Sequence, residues 1–219
     1  MLEHRFRTPR SARYFTIGAP GPQVSDLWIV CHGYGQLARD FLAGFAPIEH
    51  SSRLIAAPEA LSRFYTGSPD ARQPGARVGA SWMTREDRVA EIEDQVAYLD
   101  GVTAELVEQL PANPRLRVLG FSQGVSTVCR WAALGRSRPA AVILWAGEIP
   151  ADVPASVLQE RLGNIEVHLV AGTRDRLLPD SLVLHHEARL RNAGIEARVH
   201  RFDGGHRLDN QVLAALARD

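Results

Sequence analysis

The residues with the clearest catalytic potential form the pentapeptide Gly120-Phe121-Ser122-Gln123-Gly124. A serine hydroxyl attacks acyl carbonyls when a nearby base takes its proton and a third group orients that base. The pentapeptide follows an apolar run and precedes a helical pattern, which is the strand–turn–helix context of a nucleophile elbow. Side chains two residues before and after Ser122 would collide in such a turn, which accounts for the glycines. The pattern predicts Ser122 as a nucleophile.

Two later loops supply an acid and a base in the chain order that this type of elbow uses, serine, acid, histidine. Asp175 lies in Gly172-Thr173-Arg174-Asp175, and His206 ends Asp203-Gly204-Gly205-His206. Each loop follows a predicted strand, and the carboxyl ends of parallel strands meet at one edge of a sheet. We therefore expect Ser122, Asp175 and His206 to lie together as a catalytic triad.

The other histidines and aspartates fit these roles less well. Asp180 has the position of a helix N-cap, and Asp203 is too close in sequence to His206 to be the first choice of acid. His32 precedes a glycine-rich loop, so we expect it to shape that loop. Four further histidines lie inside predicted strands or helices and are expected to be core or surface residues: His168, His185, His186 and His200.

Acyl transfer also needs N–H groups directed at the tetrahedral oxyanion. One donor comes from the residue after the nucleophile, here Gln123, and the other from the loop after an early strand. The segment Cys31-His32-Gly33-Tyr34-Gly35 ends such a strand. Tyr34 and Gln123 are therefore the candidate oxyanion-hole residues.

Strand-length apolar runs alternate with amphipathic stretches along the chain. The predicted strands are Ala12–Ile17, Asp26–His32, Ser52–Ala57, Arg115–Gly120, Ala140–Trp145, Ile165–Ala171 and Ile195–Phe202. The predicted helices are Glu86–Leu110, Gln123–Leu134, Asp180–Asn192 and Leu208–Ala217. This alternation predicts one α/β domain over residues 1–219, with a mostly parallel sheet and helices on both faces.

Two long connections, Pro58–Trp82 and Ala146–Gly163, interrupt the alternation. Long loops in compact domains are usually functional or disordered, and the aromatic residues of the first favour an ordered pocket wall. Apolar residues there and beside Asp175 are candidates for binding an acyl group, with ordinary core packing as the alternative: Leu61, Phe64, Tyr65, Trp82, Leu177 and Leu178.

Composition excludes several classes of function. Twenty-five basic and twenty-five acidic residues give zero formal net charge, so nucleic-acid binding has no electrostatic support. Neither a metal-ligand cluster nor a dinucleotide fingerprint is found, and His185 and His186, being adjacent, do not share a helix face. We expect no cofactor.

The N-terminus lacks a signal-peptide pattern, no apolar run reaches membrane-spanning length, and two cysteines form no disulfide framework, so a cytoplasmic location is expected.

In these motifs the chain resembles the phospholipase/carboxylesterase family of α/β-hydrolases, which includes bacterial carboxylesterases and acyl-protein thioesterases. The resemblance runs from about Trp28 to Leu208. Its matching segments are His32-Gly33-Tyr34-Gly35, Ala57-Pro58, Gly120-Phe121-Ser122-Gln123-Gly124, Gly172-Thr173-Arg174-Asp175, Leu178-Pro179 and Gly204-Gly205-His206. The chain departs from the family's usual pattern at Tyr34-Gly35-Gln36 and at Val125.

The resemblance implies an α/β-hydrolase fold without a large cap domain. It maps the triad onto Ser122, Asp175 and His206 and the oxyanion hole onto Tyr34 and Gln123. The implied activity is a carboxylesterase, lysophospholipase or thioesterase acting on a small-molecule ester or thioester through an acyl-enzyme. Alternatives are a peptidase or C–C hydrolase with the same triad, or a non-catalytic binding protein. A homodimer remains among the alternatives for the oligomeric state.

Overall fold

The computed structural model describes residues 1–67, 75–111 and 114–218. Its main sheet is built from seven strands. In chain order the strands of the molecule are β1 (Tyr14–Ile17), β2 (Asp26–Cys31), β3 (Arg53–Pro58), β4 (Ser62–Tyr65), β5 (Val78–Ser81), β6 (Arg115–Phe121), β7 (Ala141–Trp145), β8 (Glu166–Gly172) and β9 (Ala197–Phe202). The seven-stranded sheet has the order β1-β3-β2-β6-β7-β8-β9, and β4 and β5 form a separate antiparallel ribbon.

All neighbours in the main sheet are parallel except β1 and β3, which are antiparallel. The central strands are almost continuously buried, as expected for parallel strands covered on both faces. The predicted mostly parallel sheet is therefore confirmed. Each sequence-predicted strand is found, with ends that differ by no more than two residues.

The helices are α1 (Ala38–Leu42), α2 (Arg88–Glu108), α3 (Gln123–Leu134), α4 (Ala155–Leu162), α5 (Asp180–Asn192) and α6 (Asn210–Leu216), and a 3₁₀ helix spans Ala43–Ile48. Residues of α2, α3, α4 and α5 belong to a hydrophobic cluster with alternate sheet side chains such as Leu27 and Ile29. Residues of α1, the 3₁₀ helix and α6 belong to a second cluster with Trp28 and Val30. Because successive strand side chains point to opposite faces, these clusters are the two faces of the sheet.

The two long connections contain structure that the sequence pattern did not predict. Pro58–Trp82 contains the β4–β5 ribbon, and residues 68–74 of that segment lie outside the described residues. Ala146–Gly163 contains α4. In the described part of the chain, these connections hold no large cap domain. None of the described helices is long and apolar enough to cross a membrane.

Candidate active site

Ser122 lies in a strained turn between β6 and α3. Its φ of 53° and ψ of −117° are unusual for a residue with a side chain, and its N–H donates to the Trp145 carbonyl at 2.9 Å. A Cβ added to Gly120 would lie 2.3 Å from the Gly124 carbonyl oxygen, and one added to Gly124 would lie 2.2 Å from the Cys31 carbonyl oxygen. Both glycines are therefore required sterically, as the sequence predicted.

Asp175 and His206 form a hydrogen-bonded pair. His206 Nδ1 lies 2.8 Å from Asp175 Oδ2. The other carboxylate oxygen, Oδ1, accepts the N–H groups of Leu177 at 2.8 Å and Leu178 at 3.1 Å. The Asp175 side chain is fully buried, whereas that of His206 is 22% exposed. The carboxylate is thus fixed in place, and the imidazole that it orients is accessible from solvent.

The loops that carry this pair are joined by backbone contacts. Thr173 N–H donates to the Phe202 carbonyl and Arg174 N–H donates to the Gly204 carbonyl, both at 2.9 Å. A Cβ on Gly172 would lie 2.3 Å from the Gly204 carbonyl oxygen, so only glycine permits this approach. The two loops extend the β8–β9 pairing beyond the sheet and set the distance between acid and base.

The alternative acids are occupied elsewhere. Asp203 is largely exposed and pairs with Arg174 at 3.2 Å. Asp180 pairs with Arg201 at 2.6 Å, and it is the first residue of α5, with Pro179 rather than Asp180 at the N-cap. That one-residue shift corrects the sequence prediction and is within the usual uncertainty of helix ends.

The alternative histidines lie inside regular elements, as expected from the sequence. His168 on β8 and His200 on β9 contact one another, with Nδ1 of the first 2.9 Å from Nε2 of the second. His185 and His186 lie on α5, the first exposed and the second buried. Burial lowers the pKa of His168 and of His186 below the ordinary histidine value.

The loop after β2 lies directly against the nucleophile. A Cβ on Gly33 would lie 3.2 Å from the Cβ of Ser122, and the Gly33 N–H donates to Gln36 Oε1 at 2.7 Å. Strand β5 binds the loop just beyond Tyr34, because the Gly35 N–H donates to the Ala80 carbonyl at 2.9 Å. Tyr34 therefore lies in a loop beside Ser122, which is where the sequence placed one oxyanion donor.

Gln123 is the first residue of α3 and directly follows Ser122. The first N–H groups of a helix have no partner within the helix, and the helix dipole places partial positive charge at this end. The backbone of Gln123 is thus suited to bind an oxyanion that forms at a carbonyl attacked by Ser122.

His32 is fully buried behind the loop and uses both ring nitrogens. Nε2 accepts the Ala60 N–H at 3.1 Å, and Nδ1 lies 2.8 Å from the Gly33 carbonyl oxygen. Because Nε2 must be the acceptor, the proton is on Nδ1. Burial lowers the pKa of His32 and favours this neutral form. These contacts fit the predicted loop-shaping role.

The six apolar candidates have different environments. Phe64 on β4 is half-buried and its ring lies 5.1 Å from that of Tyr34, which is itself 60% exposed. Tyr65 and Leu177 are exposed, and Leu61 is half-buried. Trp82 and Leu178 are buried: Trp82 belongs to the main core cluster, and Leu178 packs with Ala171 and Val183. Those two side chains are part of the core.

Two further residues contact the site without having been singled out. The Phe121 ring lies 4.9 Å from the His206 ring. A Cβ on Gly147 would lie 2.2 Å from the Ser122 carbonyl oxygen. Gly147 comes two residues after β7, at the same sheet edge as Ser122, so its place after an apolar run was the available signal. In the described part of the chain, no cluster of three or more histidine, cysteine or acidic side chains is arranged to hold a metal ion.

No protein-family model matches the chain, and no curated protein matches it significantly. Many solved structures, in contrast, are similar to the chain in their backbone.

Three of these structures illustrate the likeness. Esterase PE8 is 24% identical, covers 95% of this chain and 97% of its own, and superposes with a TM-score of 0.71. The carboxylesterase from Mesorhizobium loti is 19% identical, with coverages of 94% and 93% and a TM-score of 0.72. Acyl-protein thioesterase 2 from Zea mays is 17% identical, with coverages of 95% and 97% and a TM-score of 0.70. Together with the sheet order and the loops at its carboxyl edge, this likeness shows that the chain has the α/β-hydrolase fold.

Proposed function

We propose that the protein is a serine hydrolase that cleaves small carboxylic esters or thioesters. The observation that carries the proposal is the 2.8 Å hydrogen bond between His206 and the buried Asp175, at the sheet edge where Ser122 occupies a strained elbow. The fold shared with esterases and a thioesterase supports the same reaction class.

In the proposed cycle, the Ser122 hydroxyl oxygen attacks the acyl carbonyl while His206 Nε2 takes its proton. Asp175 accepts a hydrogen bond from the Nδ1–H of His206, keeps the ring in the required tautomer and stabilises the imidazolium. The N–H groups of Tyr34 and Gln123 bind the tetrahedral oxyanion. His206 then protonates the leaving alcohol or thiol. In the second half of the cycle water attacks the acyl-enzyme with His206 as the base, and His206 returns the proton to Ser122 as the acid product leaves.

The surroundings of the nucleophile support a preference for short acyl groups. Tyr34 is in the loop beside Ser122, and its ring contacts that of Phe64. In our proposal these two rings narrow the path by which the acyl group of the substrate reaches Ser122. Leu61, Tyr65 and Leu177 would contact the acyl or alcohol portion at its margin. A series of esters in which long acyl chains react fastest would contradict this part of the proposal.

We also propose a cytoplasmic protein. Both cysteines, Cys31 and Cys129, are free and buried, and burial raises the pKa of each thiol, that of Cys129 to about 12. Such thiols are protonated and inert at pH 7, which suits a reducing compartment.

The test is hydrolysis of p-nitrophenyl esters from acetate to palmitate by the wild-type protein and the Ser122→Ala variant. We expect wild-type turnover with a short-chain optimum and a loss of at least about 10³-fold in the variant. Ser126→Ala is the matched control, since Ser126 lies one turn along α3 and its hydroxyl donates to the Glu148 carbonyl at 2.9 Å. Equal activity in wild type and Ser122→Ala would overturn the proposal. If esters are inert, thioester and peptide substrates distinguish a specialised hydrolase from a binding protein.

A further inference from the structure

The two proposed oxyanion donors belong to distant parts of the chain. Tyr34 lies in the loop after β2, whereas Gln123 begins α3. An oxyanion hole acts only when both N–H groups point at one position, and a displacement of about 1 Å costs on the order of 100-fold in rate. Contacts that fix one donor relative to the other are therefore important for the proposed reaction.

His32 sets the direction of the Tyr34 N–H. The Gly33 carbonyl and the Tyr34 N–H belong to one peptide group, which is planar and trans, so they point in opposite directions. The His32 Nδ1–H donates to that carbonyl at 2.8 Å, and Ala60 N–H holds the opposite side of the ring at 3.1 Å. A rotated ring would release the Gly33–Tyr34 peptide and misdirect the donor.

Trp82 holds His32 in turn. Its indole N–H donates to the His32 carbonyl at 2.8 Å, and the two rings lie 5.1 Å apart with an interplanar angle of 34°. Trp82 is only 3% exposed. Both the backbone and the side chain of His32 are therefore in contact with one buried indole.

The side chain of Gln123 connects this group to the second donor. Its Oε1 accepts the Trp82 backbone N–H at 3.1 Å. Its Nε2 donates to the Met83 carbonyl at 2.9 Å and to Ser81 Oγ at 3.1 Å. The residue whose backbone supplies one proposed donor thus binds, through its amide, the segment that positions the other.

We infer that Gln123, Trp82 and His32 form a continuous set of positioning contacts that aligns the two halves of the oxyanion hole. The inference rests on the proposed function, since it assigns a role within that site. Trp82 and His32 are positioning residues because they act through the Gly33–Tyr34 peptide, and the Gln123 side chain acts in the same way through Trp82.

The main test is the Trp82→Phe variant, which keeps an aromatic ring and removes the indole N–H. Trp131→Phe is the matched control: Trp131 is equally buried in the same cluster, and its indole N–H donates to Asp100 Oδ1 at 2.9 Å, away from the donors. We expect Trp82→Phe to lower kcat by about 10- to 100-fold with KM changed less than about threefold. The control should lose thermal stability to a similar extent and keep kcat within about twofold of wild type.

A second readout separates this inference from the proposed function. A fluorophosphonate probe phosphonylates the serine oxygen with loss of fluoride and develops negative charge on its phosphoryl oxygen, so its rate depends on both the nucleophile and the oxyanion hole. We expect wild type and Trp131→Phe to react at similar rates, and Trp82→Phe about tenfold or more slowly.

Equal labelling rates and kcat values in the two tryptophan variants would overturn the inference and leave the proposed function intact. Absence of both labelling and turnover in wild type would overturn both. Should Trp82→Phe fail to fold, Gln123→Met removes the neighbouring contacts of the set, those of the Gln123 amide with the Trp82 backbone N–H, the Met83 carbonyl and Ser81 Oγ, and approximately preserves the side-chain volume. A folded Gln123→Met variant with wild-type kcat would overturn the inference by itself.

Discussion

Replacing Asp175 by asparagine tests the proposed triad without removing the side chain. The asparagine Oδ1 keeps the acceptor for the Leu177 and Leu178 N–H groups, which lie at 2.8 and 3.1 Å in the wild type. Its Nδ2 then faces His206 Nδ1, where the carboxylate oxygen lies at 2.8 Å. Since an amide NH₂ donates and does not accept, His206 must accept at Nδ1 and carry its proton on Nε2, the atom that should receive the proton of Ser122.

The expected loss follows from this change of tautomer. In serine hydrolases with a comparable triad, the same exchange lowers kcat by about 10⁴-fold, equivalent to roughly 5.4 kcal/mol of activation free energy. We expect this loss in kcat for p-nitrophenyl acetate at pH 7, with a melting temperature close to that of wild type because the loop hydrogen bonds persist.

The matched control is Asp203→Asn, which alters an exposed carboxylate paired with Arg174 on the neighbouring loop. Exposed ion pairs contribute little, so the control should retain activity within about twofold. If Asp175→Asn is folded and keeps more than about a tenth of wild-type kcat, Asp175 does not orient the catalytic base and the reasoning fails.

Two further predictions concern stability. Gly124→Ala would place a Cβ 2.2 Å from the Cys31 carbonyl oxygen, whereas a Cβ at Gly101, in helix α2, meets no atom within 4 Å. In thermal unfolding we expect Gly124→Ala to be clearly destabilised and Gly101→Ala to be stabilised by about 0.5–1 kcal/mol. Similar shifts in melting temperature for the two variants would refute the steric argument. The hydrogen-bonded ion pair with Arg130 lowers the pKa of Asp152 to about 2. This contribution is complete above the unfolded-state value of about 3.9 and disappears as the pH falls through the folded-state value. Urea denaturation should therefore show Asp152→Asn less stable than wild type at pH 7, with the difference closing between about pH 4 and pH 2, and a difference constant down to pH 2 would contradict the assignment.

Local sequence signals were sufficient to predict the strands and helices that position the proposed triad. Helices α3 and α5 begin and end where the apolar pattern predicts, at Gln123–Leu134 and Asp180–Asn192. Asp175 and His206 could be chosen because each follows an apolar run, and the ends of parallel strands converge whatever their separation in sequence.

The β4–β5 ribbon, α4 and the short α1 could not be predicted in this way. The two ribbon strands have only four residues each, and neither shows a distinct alternation of apolar and polar residue types. They also pair across a long connection, which no local pattern indicates. The role of Trp82 also depends on tertiary contacts: its aromatic character suggested a pocket wall, but only the folded chain places its indole against His32. Sequence patterns report how apolar a residue is, and the partner of its polar atom is decided by segments far away.

The contacts between the β8 and β9 loops have a consequence for how this site changes through insertion and deletion. A two-residue slip of β9 against β8 would carry His206 roughly 7 Å along the strand direction, far beyond hydrogen-bond reach of Asp175. The close approach at Gly172 and the hydrogen bonds of Thr173 and Arg174 oppose such a slip. Length changes should therefore be rejected between β8 and Asp175 and between β9 and His206.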